Sequence, residues 1–525
     1  MSRPHSFAGR SGSPCAHRSS RCASLGASIH SAILHMETQV RRTKIIATLG
    51  PATDAPGMLK RILEEGVDVV RLNLSHGAPE DHERRAREAR ETAAALGNEV
   101  AVLADLQGPK IRIAKFAAAP VLLEPGEPFA LECDIKALPG DVTRVGVSYL
   151  NLYKDVKPGD TLLLDDGLIS LKVDAIDGTT IRTTVLIGGA LSDRKGINRL
   201  GGGLSLTALA EKDKLDIRLA AKLDADFLAI SFAKSAADIN ESRSLLRAAG
   251  GKAALIAKIE RAEAIVALAE IIDASDAVMV ARGDLGVEIG DAELPGIQKK
   301  IIRETLARNK VVITATQMMQ SMVESPIPTR AEVLDVANAV LDGTDAVMLS
   351  QETAAGKHPD KAVAAMRRVC LGAERQFEPK DDTAPNPNNK TVDRPDQAIA
   401  RAAMFLAGQI GTRAIVALTE SGGTAQWLSR YRSSVPIYAL SRRQGARRRM
   451  MLYRDVTPVD FDPHGVDPAH AAKAAIQHLY NMGRLTESDR VILTHGDHTG
   501  QHGGTNTLKL LRVGPGGVAE GLGDL

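Results

Sequence analysis

The sequence predicts a (β/α)8 barrel that carries an inserted all-β domain and is followed by a C-terminal α/β domain. Two observations predict the barrel: eight short β-branched apolar runs alternate with amphipathic stretches, and more than a hundred residues separate the third run from the fourth. Buried parallel strands read as continuous Val, Ile and Leu runs, which helices cover. The predicted strands are Lys44–Thr48, Val69–Leu74, Val100–Asp105, Phe227–Phe232, Leu255–Glu260, Ala277–Ala281, Val311–Thr316 and Ala346–Ser350.

The remaining elements follow in chain order. Residues 1–36 lack acidic residues and are rich in Ser, Ala and Arg, which is typical of a transit peptide or of a start codon assigned too early, so we exclude them from the fold. The barrel is expected at 37–112 and 201–378. Between these parts, residues 113–200 alternate short apolar runs with turn signals and are predicted to form the inserted β domain, which we call the lid.

The C-terminal part is predicted to be a separate α/β domain. Residues 379–395 are dense in Asp, Asn and Pro, which is typical of a linker. Beyond them, residues 396–525 alternate helical and strand patterns, with helices at 398–408, 424–431 and 468–482 and strands at 414–419, 437–440 and 490–494.

The composition excludes several classes of function. A net charge of +2 and 3% aromatic residues over 525 residues argue against a nucleic-acid partner. No apolar run is long enough to cross a membrane, and four cysteines are too few for a disulfide scaffold. We therefore expect a cytoplasmic protein with no membrane partner.

Reactive side chains cluster where the predicted strands end, which is the catalytic face of such barrels. Two carboxylates, Glu260 and Asp284, suit a hard divalent cation. The cations Arg71, Arg112 and Lys258 suit phosphate. Each residue alone is explained equally well by a rim salt bridge or a capped turn, but the combination predicts phosphoryl transfer involving a small phosphorylated acid.

Several longer motifs then resemble one family, the pyruvate kinases. The similarity runs in order from about Arg42 to Val513. It is carried by Lys44–Pro51, Arg71–Gly77, Asp165–Ser170, Lys258–Glu260, Met279–Gly286, Ala315–Met318 and Pro328–Glu332.

The resemblance implies transfer of a phosphoryl group from phosphoenolpyruvate to ADP, giving pyruvate and ATP. It implies that Glu260 and Asp284 hold Mg²⁺ or Mn²⁺, and that Lys258, Thr316 and Arg71 are catalytic. The substrate would be bound by Arg71, Lys258, Gly283, Asp284 and Thr316. The nucleotide side would be formed by Thr48, Pro51, Asn73, His76, Arg112 and Lys195, the last reaching in when the lid closes.

One departure concerns the monovalent cation. Many members of the family hold K⁺ at groups that match Asn73, Ser75, Asp105 and Leu106, and have a glutamate where this chain has Lys110. A lysine ammonium is a tethered monovalent cation, so we expect activity without K⁺. The alternative is a surface lysine with K⁺ still required.

A second departure concerns regulation. The resemblance implies an effector phosphate site at the turn formed by Thr419, Ser421, Gly422, Gly423 and Thr424. Glu420 places a negative charge beside it, so a phosphorylated effector other than a sugar bisphosphate is expected; an unregulated structural turn is the alternative. The resemblance also implies a homotetramer.

Two rival functions remain at this point. A Mg²⁺-dependent carbon–carbon lyase would leave Arg71, Arg112 and Lys195 without a purpose. A catalytically silent effector-binding scaffold would be expected to have lost at least one of the reactive residues, yet all of them are present.

Overall fold

Eight parallel strands close into a barrel, which confirms the predicted fold class. In the computed structural model, neighbouring strands pair in chain order and the first strand pairs with the eighth. The barrel strands are Lys44–Leu49, Val69–Asn73, Ala101–Asp105, Phe227–Ile230, Ala254–Ile259, Ala277–Ala281, Val311–Ala315 and Ala346–Leu349.

The structure describes residues 40–134, 139–376, 392, 394–431, 433, 435–463, 468–497 and 503–521. The predicted N-terminal extension, 1–36, lies outside the described residues, as does most of the predicted linker, 379–395. Met1–Arg41 group as one unit, of which only residues 40 and 41 are described, and Arg42–Leu525 group as another.

Alternation along each strand builds two apolar layers. Ile46 and Leu103 point into the barrel, whereas Ile45 and Val102 pack under the surrounding helices, and all four are fully buried. The helices of the barrel layer are Met58–Glu64, Pro79–Ala95, Glu211–Lys222, Ala236–Ala248, Ala262–Val266, Leu268–Ala274, Arg282–Ile289, Leu294–Ala307, Arg330–Asp342, Gln351–Ala354 and Pro359–Arg375. A 3-10 turn at Gln320–Val323 completes this layer.

Five of the predicted strands extend too far at their catalytic ends; the second, fifth and eighth end one residue earlier than predicted, at Asn73, Ile259 and Leu349. The fourth strand ends at Ile230 and not at Phe232, and the seventh ends at Ala315 and not at Thr316. Phe232 and Thr316 have positive φ angles of 57° and 65°, which break the ladder of hydrogen bonds and turn the chain across the barrel mouth.

The lid is a β domain between the third and fourth barrel strands. In the described part of the lid, six strands form one sheet and two form a second, and one strand pair is parallel while the others are antiparallel. The strands are Val121–Leu123, Pro128–Glu132, Arg144–Gly146, Thr161–Leu164, Ile169–Asp177, Thr180–Ile187, Gly189–Leu191 and Ile197–Arg199, with one short helix at Leu152–Asp155.

The C-terminal domain has a mixed sheet. In spatial order its strands are Val456–Asp460, Ile437–Ser441, Ala414–Leu418, Arg490–Gly496, Thr505–Val513 and Ala519–Gly521. The first four pair in parallel, and each of the last two pairs antiparallel with the strand before it. The helices are Pro395–Gln409, Gly423–Arg430, Gln444–Met450 and Pro468–Asn481, with a 3-10 turn at Pro515–Gly517.

A segment of the C-terminal domain closes the base of the barrel. Leu452 is fully buried in the inner barrel core, and Met451 and Tyr453 pack against it. Arg448 pairs with the buried Asp226 at 2.7 Å just before the fourth strand. The two domains therefore share a core at the end opposite the candidate site. In the described parts of the chain, no helix combines the length and apolar character needed to cross a membrane.

Candidate functional site

The predicted catalytic lysine lies among acidic and hydroxyl side chains at the carboxyl end of the barrel. Lys258 Nζ is 2.7 Å from Glu260 Oε1 and 3.4 Å from Asp105 Oδ1. It donates a 2.7 Å hydrogen bond to the hydroxyl of Ser231. Arg71 Nε donates to Asp105 Oδ2 at 2.6 Å. Residues at the ends of four strands therefore form one buried, charged cluster.

These charges set the protonation states of the cluster. Burial by itself would raise the pKa of Asp105, but Lys258 and Arg71 hold that pKa below its ordinary value. Burial also opposes the charge of Lys258, yet Asp105 and Glu260 hold its pKa above the ordinary value. The amine is therefore a fixed cation at neutral pH, suited to stabilise developing negative charge.

Glu260 and Asp284 are the carboxylates predicted to hold a divalent cation. Burial raises the pKa of Glu260, Lys258 opposes that rise, and the charge of Asp284 adds to it. The Phe232 N–H donates to Glu260 Oε2 at 2.8 Å and orients the carboxylate. Hard oxygen donors that disfavour each other's charge fit Mg²⁺ or Mn²⁺, because a divalent cation would relieve their repulsion.

The helix Arg282–Ile289 begins beside Thr316. Gly283 N–H donates to Thr316 Oγ1 at 2.9 Å, and Arg282 Nη2 donates to the Thr316 carbonyl at 2.7 Å. Arg282 also pairs with Asp335 at 2.7 Å, so its guanidinium is held on both sides. A hydroxyl and the positive end of a helix thus converge where a carboxylate could bind.

The residues predicted for the nucleotide side lie on separate segments. Thr48 is buried and accepts a 3.1 Å hydrogen bond from Arg71 Nη1, which joins it to the central cluster. Asn73 is half-buried, while Pro51 and His76 are exposed in loops at the barrel mouth.

Arg112 and Lys195 lie where the lid joins the barrel. Arg112 Nη1 donates to the Arg194 carbonyl at 3.0 Å. Lys195 Nζ lies 2.8 Å from Asp165 Oδ1, a residue of the same lid. The structure therefore holds Lys195 within the lid and does not bring it to Lys258.

The groups predicted to hold a monovalent cation include the buried carboxylate of Asp105. Asp105 Oδ1 accepts no hydrogen bond from the described residues. The Ser75 N–H donates to Asn73 Oδ1 at 3.2 Å. The Leu106 carbonyl accepts a 2.8 Å hydrogen bond from Ser231 Oγ.

Lys110 lies on the metal side of the cluster. Its Nζ is 2.9 Å from Asp284 Oδ1 and 3.7 Å from Asp166 Oδ1 of the lid. Burial by itself would lower the pKa of Lys110, but Asp284 and Asp166 hold that pKa above its ordinary value, with a further contribution from Glu260. The amine is therefore a permanent cation inside the candidate site.

The predicted effector turn lies far along the chain, in the C-terminal domain. Thr419 Oγ1 accepts a 3.0 Å hydrogen bond from Gly422 N–H, and Thr424 Oγ1 is 2.6 Å from Thr505 Oγ1. Gly422 has φ 87°, and a Cβ there would lie 2.9 Å from Met450, so the turn requires glycine. The turn lines a cavity of about 380 Å³ together with Ser421 and Gly423.

The cavity wall is rich in cations. Glu420 pairs with Arg442 at 3.1 Å and with Arg443 at 2.6 Å, so its negative charge is compensated. Further cations on the wall are Arg308, Lys310 and Arg394, the first two from the barrel. Anionic ligands are therefore compatible with this cavity despite Glu420.

Sequence reasoning missed three residues of the site. Ser231 is almost fully buried and holds Lys258, Arg282 holds Thr316, and Asp166 faces Lys110. Ser231 could have been found because it is the first polar residue after an apolar strand. The partners of the other two come from distant segments.

Comparisons with known proteins identify the family of this chain. The family model described as pyruvate kinase, barrel domain, matches residues 40–363, and the model of the pyruvate kinase alpha/beta domain matches 397–511. Pyruvate kinase II of Salmonella typhimurium is 52% identical over 482 residues, covering 91% of this chain and all of that protein. The pyruvate kinase of Haemophilus influenzae is 50% identical over 88% of this chain and 97% of its own length. That of Geobacillus stearothermophilus is 40% identical over 90% and 80%, respectively.

Proposed function

This chain belongs to the pyruvate kinase family and catalyses the glycolytic pyruvate kinase reaction, and from that premise we propose how its own residues carry out the phosphoryl transfer. The lyase and the silent scaffold are set aside by this membership. The observation that carries the proposal is the buried cluster around Lys258, in which a fixed ammonium lies beside two carboxylates and a guanidinium.

Lys258 and Arg71 neutralise the substrate in this proposal. Arg71, braced by Asp105, binds the phosphoryl group of phosphoenolpyruvate. Lys258 lies between that group and the enolate oxygen, where its charge lowers the energy of the transition state more than that of the ground state. Thr316 and the amides of Gly283 and Asp284 bind the substrate carboxylate.

The resemblance to the family further assigns Thr316 to the face of the enol that is protonated at carbon, with the proton relayed through water.

Glu260 and Asp284 would hold the divalent cation, Mg²⁺ or Mn²⁺. When bound, that ion would neutralise negative charge that develops on the substrate. The Phe232 N–H and Lys258 fix the two oxygens of Glu260, which supports a ligand held ready in position.

ADP binds on the side of Thr48, Pro51, Asn73, His76 and Arg112. Lys195 leaves Asp165 and reaches the phosphates when the lid closes. Closure excludes water, so the phosphoryl group passes to ADP and not to solvent.

The enzyme works without K⁺ in this proposal, because Lys110 supplies a tethered monovalent cation. The permanent charge of Lys110 inside the site supports this role. The test is pyruvate formation with Na⁺ or K⁺ at constant ionic strength, for the wild type and Lys110→Glu. Full wild-type activity in Na⁺, with K⁺ dependence only in the variant, is expected. Strong activation of the wild type by K⁺ would refute the proposal.

A phosphorylated effector regulates the enzyme from the C-terminal cavity. The residues that receive its phosphate are Thr419, Ser421, Gly422, Gly423 and Thr424, and the cations of the wall support the assignment. Substrate saturation curves with a sugar monophosphate and with AMP test it. One of these ligands is expected to shift the curve, and Ser421→Asp is expected to abolish the shift.

We also propose that the protein is a cytoplasmic homotetramer. Leu334 and Leu341, seven residues apart on the helix Arg330–Asp342, form an exposed apolar stripe on one face, and Ile327 is exposed just before that helix. A second copy would cover this stripe. Sedimentation of the wild type and Leu334→Asp tests the assembly, with dissociation expected in the variant.

A further inference from the structure

The ammonium of Lys110 lies among carboxylates from both the barrel and the lid. It pairs with Asp284 at 2.9 Å and with Asp166 at 3.7 Å, and the charge of Glu260 also stabilises it. The Gly196 backbone passes close beside its stem, since a Cβ there would lie only 3.1 Å from Lys110 Cε. The amine therefore stands beside the two residues assigned to the divalent cation.

The position of Lys110 in the chain explains why it reaches this place. It directly precedes the first connection to the lid, which pairs with the second connection: Ile197 N–H donates to the Ile111 carbonyl at 3.0 Å, and Ile113 N–H donates to the Lys195 carbonyl at 2.9 Å. Lys110 thus lies at the base of the lid, next to backbone that is held by antiparallel pairing of the two connections.

We propose that Lys110 is a built-in placeholder for the divalent cation. Without metal, its ammonium neutralises Asp284 and reduces the repulsion between Asp284 and Glu260. A divalent cation held by either oxygen of Asp284 would lie close to this ammonium and repel it strongly. Metal binding therefore displaces Lys110 from Asp284. This inference rests on the proposed assignment of Glu260 and Asp284 as metal ligands.

The displacement has a functional consequence. While it pairs with Asp284, the ammonium is not available to balance the charge of the anionic substrates. Once released, it can act as the tethered monovalent cation. The divalent cation must therefore bind first, and only then can the Lys110 ammonium act as the monovalent cation. Lys110 also weakens the affinity of the substrate-free enzyme for the divalent cation.

The test measures Mn²⁺ binding to the full-length enzyme without substrates, using the electron paramagnetic resonance signal of free Mn²⁺. Lys110→Met removes the competitor and is expected to bind Mn²⁺ at least about fivefold more tightly than the wild type, equivalent to ~1 kcal/mol. Lys110→Arg keeps a cation and is expected to stay within about twofold of the wild type. Lys157→Met makes the same charge change on an exposed lid turn and serves as the matched control.

The outcomes separate this inference from the proposed function. Asp284→Asn is expected to weaken Mn²⁺ binding at least about tenfold. If it does, and Lys110→Met binds Mn²⁺ no more tightly than the wild type, the placeholder is refuted while the ligand assignment stands. If Asp284→Asn binds Mn²⁺ as the wild type does, the ligand assignment itself fails. Equal tightening in Lys110→Met and Lys157→Met would reduce the effect to overall charge and refute the placeholder.

Discussion

Glu288 is expected to make the stability of the enzyme fall as pH rises. It lies at the end of the helix that begins at Arg282 and is only 3% exposed. Its carboxylate accepts a 2.9 Å hydrogen bond from Ala262 N–H, and its carbonyl accepts one from Gly201 at the second lid connection. Burial raises its pKa from 4.5 to about 7, against the smaller opposing effects of Ala262 N–H and Arg261.

The sign follows from proton linkage. The folded pKa lies above the unfolded one, so the folded state binds the proton more tightly. This contribution to stability is complete below the unfolded pKa and is lost as pH rises through about 7. Since each pKa unit corresponds to about 1.4 kcal/mol, the whole effect is about 3 kcal/mol. Between about pH 5 and about pH 7.5, linkage gives a loss of about 2 kcal/mol.

The assay compares guanidinium unfolding midpoints of the wild type and Glu288→Gln at these two pH values. Glutamine keeps an acceptor for Ala262 N–H but cannot titrate, so the variant should lack this loss of about 2 kcal/mol. Glu332→Gln is the control. Burial by itself would raise the pKa of Glu332, but hydrogen bonds from Ser321 and Thr329 hold it below its ordinary value. Equal pH dependence in the wild type and Glu288→Gln would refute the reasoning.

Three further outcomes are expected. Lys258→Met should lower kcat by about 10²–10³-fold in steady-state assays, because it removes the cation that stabilises the enolate; a loss below tenfold would exclude that role. Arg430→Met should cost about 3–5 kcal/mol in chemical unfolding, because it strands the buried Asp345, which it contacts at 3.0 Å; an unchanged midpoint would contradict this. Leu452→Ala should cost about 2–5 kcal/mol, whereas Leu215→Ala, exposed on the surface, should cost under about 0.5 kcal/mol when the same unfolding signal is followed.

The barrel was predictable because its strands are local and strongly patterned. Each Val/Ile run is buried on both faces, so its position is readable without knowledge of its partners. Prediction was poorer in the C-terminal domain, where the helix Gln444–Met450 and the antiparallel strand Thr505–Val513 were missed. The strand Thr505–Val513 packs at a sheet position defined by its neighbour, and its half-exposed residues carry a weak period.

The candidate site was also predictable only in part: the sequence shows its residue types but not the contacts between them. The residue types at the strand ends, from Arg71 to Thr316, can be read directly from the sequence. Their chemistry indicated phosphoryl transfer before the structure was known. The contacts of those residues are different. Lys110 pairs with Asp284, 174 residues away, and not with the groups around Asp105.

The sequence by itself thus determined the barrel, the order of its parts and the reactive residues. The periodicity of apolar residues and the residue types at strand ends can each be read from a short stretch of the chain. Only the tertiary structure decided which charges neutralise one another, that Ser231 holds Lys258, and that Leu452 closes the barrel base. Those relations depend on closure of the barrel and on where the lid and the C-terminal domain pack. Ion pairs and buried contacts between distant segments are set by that long-range geometry, which no local pattern encodes.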